Sequence, residues 1–231
     1  SEQVYVFDDS GKHLRTLNTH TGAELYEFVY DANGLLITVV DSDGNIVQIE
    51  RSPMGQPAAI IGPYGQRSEL SIAANGYLDT LTWPDGATYR LGYEEILRVD
   101  NSVVGLLTSV VDPKANTTEF IYDGDGRLIS HIGEATEVLT LDRTADENGI
   151  NVVTTSPLGI LSSYGVEELA TGDKRLTQIL PDGTAFTRVT GNDGVTNITH
   201  PDGTSVTRST SGDSRYGLQS PVSSEIGRAS C

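Results

Sequence analysis

Apolar residues along this chain come in short runs of strand length, separated by glycine-bearing turns. Residues 35–40, 45–50, 67–72, 77–82 and 87–91 are each rich in β-branched or aromatic side chains, the composition of a pleated, half-buried strand. Within 45–50 the alternation is visible, with Val47 and Ile49 on one side and Gln48 and Glu50 on the other, as a strand with one covered face requires. Only residues 94–99 approach a helical period, and that segment is short.

The turns are periodic. Gly34, Gly55 and Gly76 recur every 21 residues, and Gly44, Gly65 and Gly86 form a second series with the same interval, 10 residues behind the first. Asn33-Gly34, Asp43-Gly44, Asn75-Gly76 and Asp85-Gly86 are dipeptides suited to tight hairpins in which both central residues take positive φ. The unit is therefore strand, turn, strand, turn. One hairpin cannot bury its own apolar face, so successive units are expected to join a single growing sheet. The interval stretches between Gly76 and Gly105, with an insertion around residues 94–104, and returns to 21 between Gly105 and Gly126. Gly105 and Gly126 are read as turn glycines like the others. Asp112-Pro113-Lys114-Ala115 takes the place of a second turn, and Leu180-Pro181-Asp182-Gly183-Thr184 and His200-Pro201-Asp202-Gly203-Thr204 repeat 20 residues apart. This predicts an all-β chain: lead-in strands over 1–29, regular repeats over 30–133 and divergent repeats over 134–231, as one continuous unit. A β-propeller is the alternative, since two units approach the length of a four-stranded blade.

The phrases that carry the period resemble the tyrosine-aspartate (YD, or Rhs) repeat. They are Tyr30-Asp31 before Gly34-Leu35, and Phe120-Ile121-Tyr122-Asp123 before Gly126-Arg127-Leu128. Residues 105–113 are similar to the lead-in half of that repeat, and residues 4–8 with 13–17 to a segment preceding it in teneurin-like proteins. Residues 214–221, Ser-Arg-Tyr-Gly-Leu-Gln-Ser-Pro, resemble an Asp-Pro-Arg-Phe-Gly-Met-Gln-Ala-Pro phrase of the same group, with Ser214 in place of its proline. The resemblance implies a long β-sheet spiralling into a hollow shell. Teneurins use that shell in cell-surface adhesion; bacterial Rhs proteins and the C components of Tc toxins enclose a toxin with it. It also implies a structural role for Tyr30, Asp31, Tyr122 and Asp123. The self-cleaving Pro-x-x-x-x-Asp-Pro-x-Gly-Leu core of Rhs shells is not matched, because Asp112-Pro113 lacks the Gly-Leu that should follow.

Composition narrows the function classes. The chain has 231 residues, 37% hydrophobic with one Trp and one Met, too little large apolar volume for a multilayer core. A formal charge of −17 repels nucleic acid and anionic lipid and discourages sheet edges from pairing wrongly. No apolar run is long enough for a membrane-spanning helix. Ser1 opens the chain without a signal or transit segment, which reads as an internal or processed fragment. Cys231 is the only cysteine, so an intrachain disulfide and a cysteine-based metal site are excluded. Scarcity of thiols accords with an extracellular or cell-surface location.

No catalytic constellation is found, and the chain reads as a non-enzyme. His13, His20, His131 and His200 are scattered, form no metal-binding pair, and have no assigned task. The acidic pairs Asp8-Asp9, Glu94-Glu95 and Glu167-Glu168 alternate across a strand instead of facing one substrate. Asp41-Ser42-Asp43-Gly44 and Asp123-Gly124-Asp125-Gly126 raise calcium as a weak alternative to no cofactor, without the ligand spacing of an EF-hand. Tyr64, Tyr77, Trp83 and Tyr89 are candidate ligand-facing aromatics. Asn116 and Asn197 head N-x-[ST] acceptor sequences. Three functions are carried forward: a structural segment of a shell, stalk or fibre whose strand edges join other copies or flanking repeats; an adhesin binding carbohydrate or a cell-surface protein; and the wall of a toxin-delivery protein.

Overall fold

The structure, a computed structural model, describes residues 3–97, 103–135 and 137–229. Ser1 and Cys231 lie outside it. The described residues contain strands and turns and no helix. They fall into two compact units, residues 1–120 with 124–126, and residues 121–123 with 127–231. The division falls within residues 120–127.

The first unit runs through β1 (Gln3–Phe7), β2 (His13–Asn18), β3 (Glu24–Tyr30), β4 (Leu36–Asp41), β5 (Ile46–Arg51), β6 (Pro57–Ile61), β7 (Arg67–Ile72), β8 (Leu78–Thr82), β9 (Thr88–Leu97), β10 (Val103–Val111) and the start of β11 (Thr117–Tyr122). Each strand pairs antiparallel with the next, from β1–β2 through β10–β11. The second unit continues with β12 (Leu128–Ile132), β13 (Val138–Ala145), β14 (Gly149–Thr155), β15 (Leu161–Glu168), β16 (Lys174–Ile179), β17 (Ala185–Thr190), β18 (Val195–Thr199), β19 (Ser205–Asp213) and β20 (Gly217–Ala229). Its strands also pair antiparallel in chain order. A propeller would break the pairing after every fourth strand. Neither run breaks, so the propeller reading is withdrawn in favour of consecutive hairpins in an extended sheet.

The stretched interval has a simple cause. Strands β9 and β10 are 10 and 9 residues long, against 5 to 7 for the strands before them, so one hairpin is lengthened at both arms. Residues 94–97, nearest to a helical period, belong to β9; residues 98–102 lie outside the described chain. Gly105 consequently falls inside β10, opposite Glu95, and its φ is not positive. Its assignment as a turn glycine is corrected: the insertion moved the turn away from it.

The sheet is thinly covered. Strand β5 alternates half-buried Val47, Ile49 and Arg51 with exposed Ile46, Gln48 and Glu50, and β11 half-buries Thr118, Phe120 and Tyr122. Among the described residues the buried hydrophobics are Val4 and Ala59 alone. The accessible surface is 14927 Å². A compact monomer of this mass exposes about 10,000 Å², and two separate compact domains of half the mass about 12,000 Å².

Candidate functional site: tyrosine, aspartate and the turn rims

Most of the turns share one construction. In the first YD phrase, Gly34 N–H donates to Asp31 C=O at 2.9 Å, and Asp31 N–H donates to Leu35 C=O at 2.9 Å. The loop between these bonds is three residues, 32–34, and Gly34 at φ +78° is its only left-handed residue. The expected two-residue hairpin with two positive φ values is corrected. The chain uses a three-residue loop closed by a left-handed glycine, in which the residue before glycine keeps ordinary φ. The same pair of bonds recurs at Gly44, Gly55, Gly65, Gly76 and Gly86, all with positive φ; Gly126 shares the positive φ. Proline occupies the second turn position at Pro53, Pro63, Pro84, Pro113, Pro157, Pro181 and Pro201. There its fixed φ suits the turn and its missing N–H is not needed.

Asp31 explains the aspartate of the phrase. Its Oδ1 accepts hydrogen bonds from Asn33 N–H (2.9 Å) and Leu35 N–H (2.8 Å), spanning the loop. Asp8 does the same for Ser10 and Lys12, Asp41 for Asp43 and Asn45, and Asp112 for Lys114 and Asn116. Asp123 Oδ1 accepts Arg127 N–H at 2.9 Å. Oδ2 of Asp41 also accepts from the Asn45 amide at 2.8 Å, so both oxygens in this Asp-Gly turn already hold protein donors. Where aspartate stands third in the turn it clamps forward instead: Asp182 Oδ1 accepts Thr184 N–H and Oγ1–H, and Asp202 accepts Thr204 N–H.

These clamps favour the ionised carboxylate. The Ser10 hydroxyl and Lys12 N–H hold Asp8 below its ordinary value, the Asn45 side chain and N–H do so for Asp41, and Thr184 for Asp182. At Asp112 desolvation pushes upward, but the Asn116 donors together with the N–H and charge of Lys114 outweigh it. A carboxyl lowered in the fold binds fewer protons there than in the unfolded chain. Its stabilisation is present above the unfolded value of 3.8 and is lost as pH falls through the folded values. Melting temperatures are therefore expected to fall below about pH 4. An Asp8→Asn, Asp182→Asn double variant, which keeps the acceptor oxygens, should show a flatter acid limb. Identical acid limbs would contradict the clamp account.

Tyr30 carries the other half of the phrase. Its hydroxyl donates to His13 C=O on neighbouring β2 at 2.8 Å, and Lys12 Nζ lies 5.5 Å from its ring centre. Adjacent turns on one rim of the sheet then touch at the spacing of one repeat. Lys12 covers Gly34, Leu35 Cδ1 lies 3.0 Å from the position of a Cβ on Gly55, and Asn192 Nδ2 donates to Gly172 C=O at 3.3 Å in the second unit. His13, for which the sequence assigned no task, is packed among aromatic rings. Its ring packs at 4.2 Å on Phe28 and near Phe7 and Tyr5, and its Nε2 lies 3.0 Å from Arg15 C=O.

Ala115, at φ +66°, is among the described residues the one non-glycine with positive φ, in the place where most of the other turns have glycine. Left-handed backbone costs a non-glycine residue about 1–2 kcal/mol, whereas glycine's looser unfolded state costs about 0.4–1 kcal/mol. Ala115→Gly is therefore expected to stabilise the fold by about 0.5–1 kcal/mol, read from denaturant midpoints; a loss would mean this turn is held differently.

The four candidate aromatics do not form one surface. Tyr77 is half-buried and stacks on Tyr93, with centroids 5.0 Å apart and planes at 20°. Its ring occupies the space over Gly105 where a Cβ would sit. Tyr89 is half-buried opposite Leu81. Tyr64 (83% exposed) and Trp83 (47%) stand at the β6–β7 and β8–β9 turns, which alternate hairpins place on one rim. In the second unit a groove of about 460 Å³ opens beside Gly149, Asn151, Gly165 and Glu167, where two strand glycines lack side chains. Among the described residues no cluster of three His, Cys, Asp or Glu is arranged to hold a metal, and no helix is long and apolar enough to cross a membrane.

Comparison with known proteins accords with this construction. The chain is 31% identical over 204 residues to Teneurin-1 of Gallus gallus, covering 84% of this chain and 7% of that protein. It is 30% identical over 173 residues to Teneurin-3 of Mus musculus, covering 71% and 6%. The chain thus spans a small fraction of these relatives. Among solved structures it aligns over 99% of its length with 17% of a chain in "Crystal Structure of TcdB2-TccC3-TEV", at 12% identity and a TM-score of 0.33, a likeness too slight to build on. The family model described as Teneurin YD-shell matches residues 1–229, and with the aspartate clamp and the left-handed glycine repeated through its hairpins, the chain belongs to the teneurin YD-shell family.

Proposed function

We propose that this chain is a structural wall segment of an extracellular or cell-surface YD shell, without catalytic activity, and that neighbouring strands and repeats complete it. The observation carrying this reading is the accessible surface of 14927 Å², well above what even two separate compact domains expose. A sheet so sparsely covered is a part of something thicker or longer. Among the described residues β1 pairs with β2 alone and β20 with β19 alone, and edge strands recruit further strands. Flanking repeats are the natural occupants in a longer chain, and copies of the segment in isolation.

Sedimentation and electron microscopy of the purified segment at moderate salt test this reading. Concentration-dependent association into curved multi-copy walls, tubes or filaments is expected. Compact monomers at every concentration, with no binding of a dye that reports exposed apolar surface, would overturn it.

A second reading, an adhesive rim, is favoured by Tyr64 and Trp83 standing exposed at turns of the same edge. Large aromatics on a rigid frame are efficient contact residues for carbohydrate or protein. Tyr64→Ala with Trp83→Ala would abolish cell-surface binding while leaving the melting temperature in place; retained binding would remove this reading.

A further inference from the structure

Two acceptor sequences, Asn116-Thr117-Thr118 and Asn197-Ile198-Thr199, are equivalent in sequence and different in structure. Asn116 closes a turn. Its Nδ2 donates to Asp112 Oδ2 at 2.9 Å and its backbone N–H to Asp112 Oδ1 at 2.8 Å, in a half-buried position. A sugar on that nitrogen would be forced into the clamp. Asn197 lies in mid-strand on β18, is exposed, and uses its Oδ1 to accept the Thr207 hydroxyl at 2.8 Å. Among the described residues no group takes a hydrogen bond from its Nδ2.

The surroundings of Asn197 also suit a sugar. Cross-strand partners share a face of a sheet. Asn197 pairs with Val189 and Thr207, and Thr199 pairs with Thr187 and Ser205, so this face is mostly hydroxyl-bearing. On the other face Ile198 pairs with Val206 and Arg188, and buried Thr196 is 7% exposed. A glycan on Asn197 would lie over the polar face and leave Ile198, Val206 and Thr196 undisturbed.

We propose that Asn197, and not Asn116, is an acceptor for an N-linked glycan, and that the face bearing Asn197 and Thr199 is the solvent-facing side of the second unit. The donor is an oligosaccharide linked through a diphosphate to a lipid. Nδ2 of Asn197 forms a bond to the sugar C1 as the bond from C1 to the diphosphate oxygen breaks. The amide gives up one proton and the lipid diphosphate departs; nothing is oxidised or reduced. This inference rests on the secreted or cell-surface reading above.

The test is to express the full chain behind a secretory leader in animal cells, then map peptides before and after enzymatic deglycosylation in heavy-oxygen water. The expected result is a single glycan on Asn197, lost in Asn197→Gln and in Thr199→Ala and kept in Asn116→Gln. A secreted chain bare at Asn197, or a glycan at Asn116, would overturn the inference while leaving the wall reading standing. A chain glycosylated at Asn197 but retained in the cell would uphold the inference and count against the secreted reading. A chain both retained and bare would sink the two together.

Discussion

Gly149→Ala is expected to destabilise the second unit by about 3 kcal/mol, lowering its melting temperature by about 10 °C or more. Gly149 opens β14 opposite Glu167, and a Cβ built there runs into the backbone carbonyl of Val166 and lies 2.8 Å from Glu167 Cα. Neither atom can rotate away as a side-chain tip would, so β14 and β15 must separate locally. The turn beside it would be disturbed as well, since Asp146 Oδ1 accepts Gly149 N–H at 2.9 Å. Gly165→Ala supplies the control. It sits in β15 between Asn151 and Thr177, and the nearest atom to its Cβ position is Asn151 Oδ1 at 3.5 Å. That is ordinary contact, and the substitution should change stability by less than about 0.5 kcal/mol. Equal melting temperatures for the two variants would show that the close approach at Gly149 is not a constraint.

Gly105→Ala is expected to cost the first unit about 2–3 kcal/mol, because it evicts the Tyr77 ring from the surface of β10. The loss combines re-exposed ring area with the Tyr77–Tyr93 stack. The decisive measurement is a double-mutant cycle. In a Tyr77→Ala background the ring atoms nearest to a Cβ on Gly105 are gone, and adding Gly105→Ala should cost far less, so the two substitutions would be strongly non-additive. Additive losses would mean the ring and the glycine act independently.

These two glycines mark where reading the sequence ran out. The 21-residue interval located Gly34, Gly44, Gly55, Gly65, Gly76, Gly86 and Gly126, all of which take positive φ, because a turn's demand for a left-handed residue is local. Gly105 keeps the interval to Gly126 yet lies within a strand, since two residues in register along the chain need not be in register with the sheet once a hairpin lengthens. Gly149 belongs to no series. Its requirement comes from a strand that follows it by 18 residues, and one sequence holds no trace of that distance. The aspartate clamps were more legible than the reading made them. An Asp three residues before a left-handed glycine, as at Asp8, Asp31, Asp41 and Asp123, recurs through the chain and was taken for general turn chemistry.

The aromatics divide in the same way. Tyr30 was read as structural, and its hydroxyl ties to His13 C=O. Tyr77, read as a candidate for ligand contact, stacks on Tyr93, whereas Tyr64 and Trp83 remain exposed. His13, to which the sequence assigned no task, lies among Tyr5, Phe7 and Phe28. Strands, turns, hairpin order and the family resemblance were all accessible without coordinates, because each depends on side chains within a few residues of one another and on φ preferences. Which face is covered, which glycine supports a ring, and which of two acceptor sequences is open depend on atoms brought close by pairing between strands. Those contacts are set by register and twist, and only the folded sheet decides them.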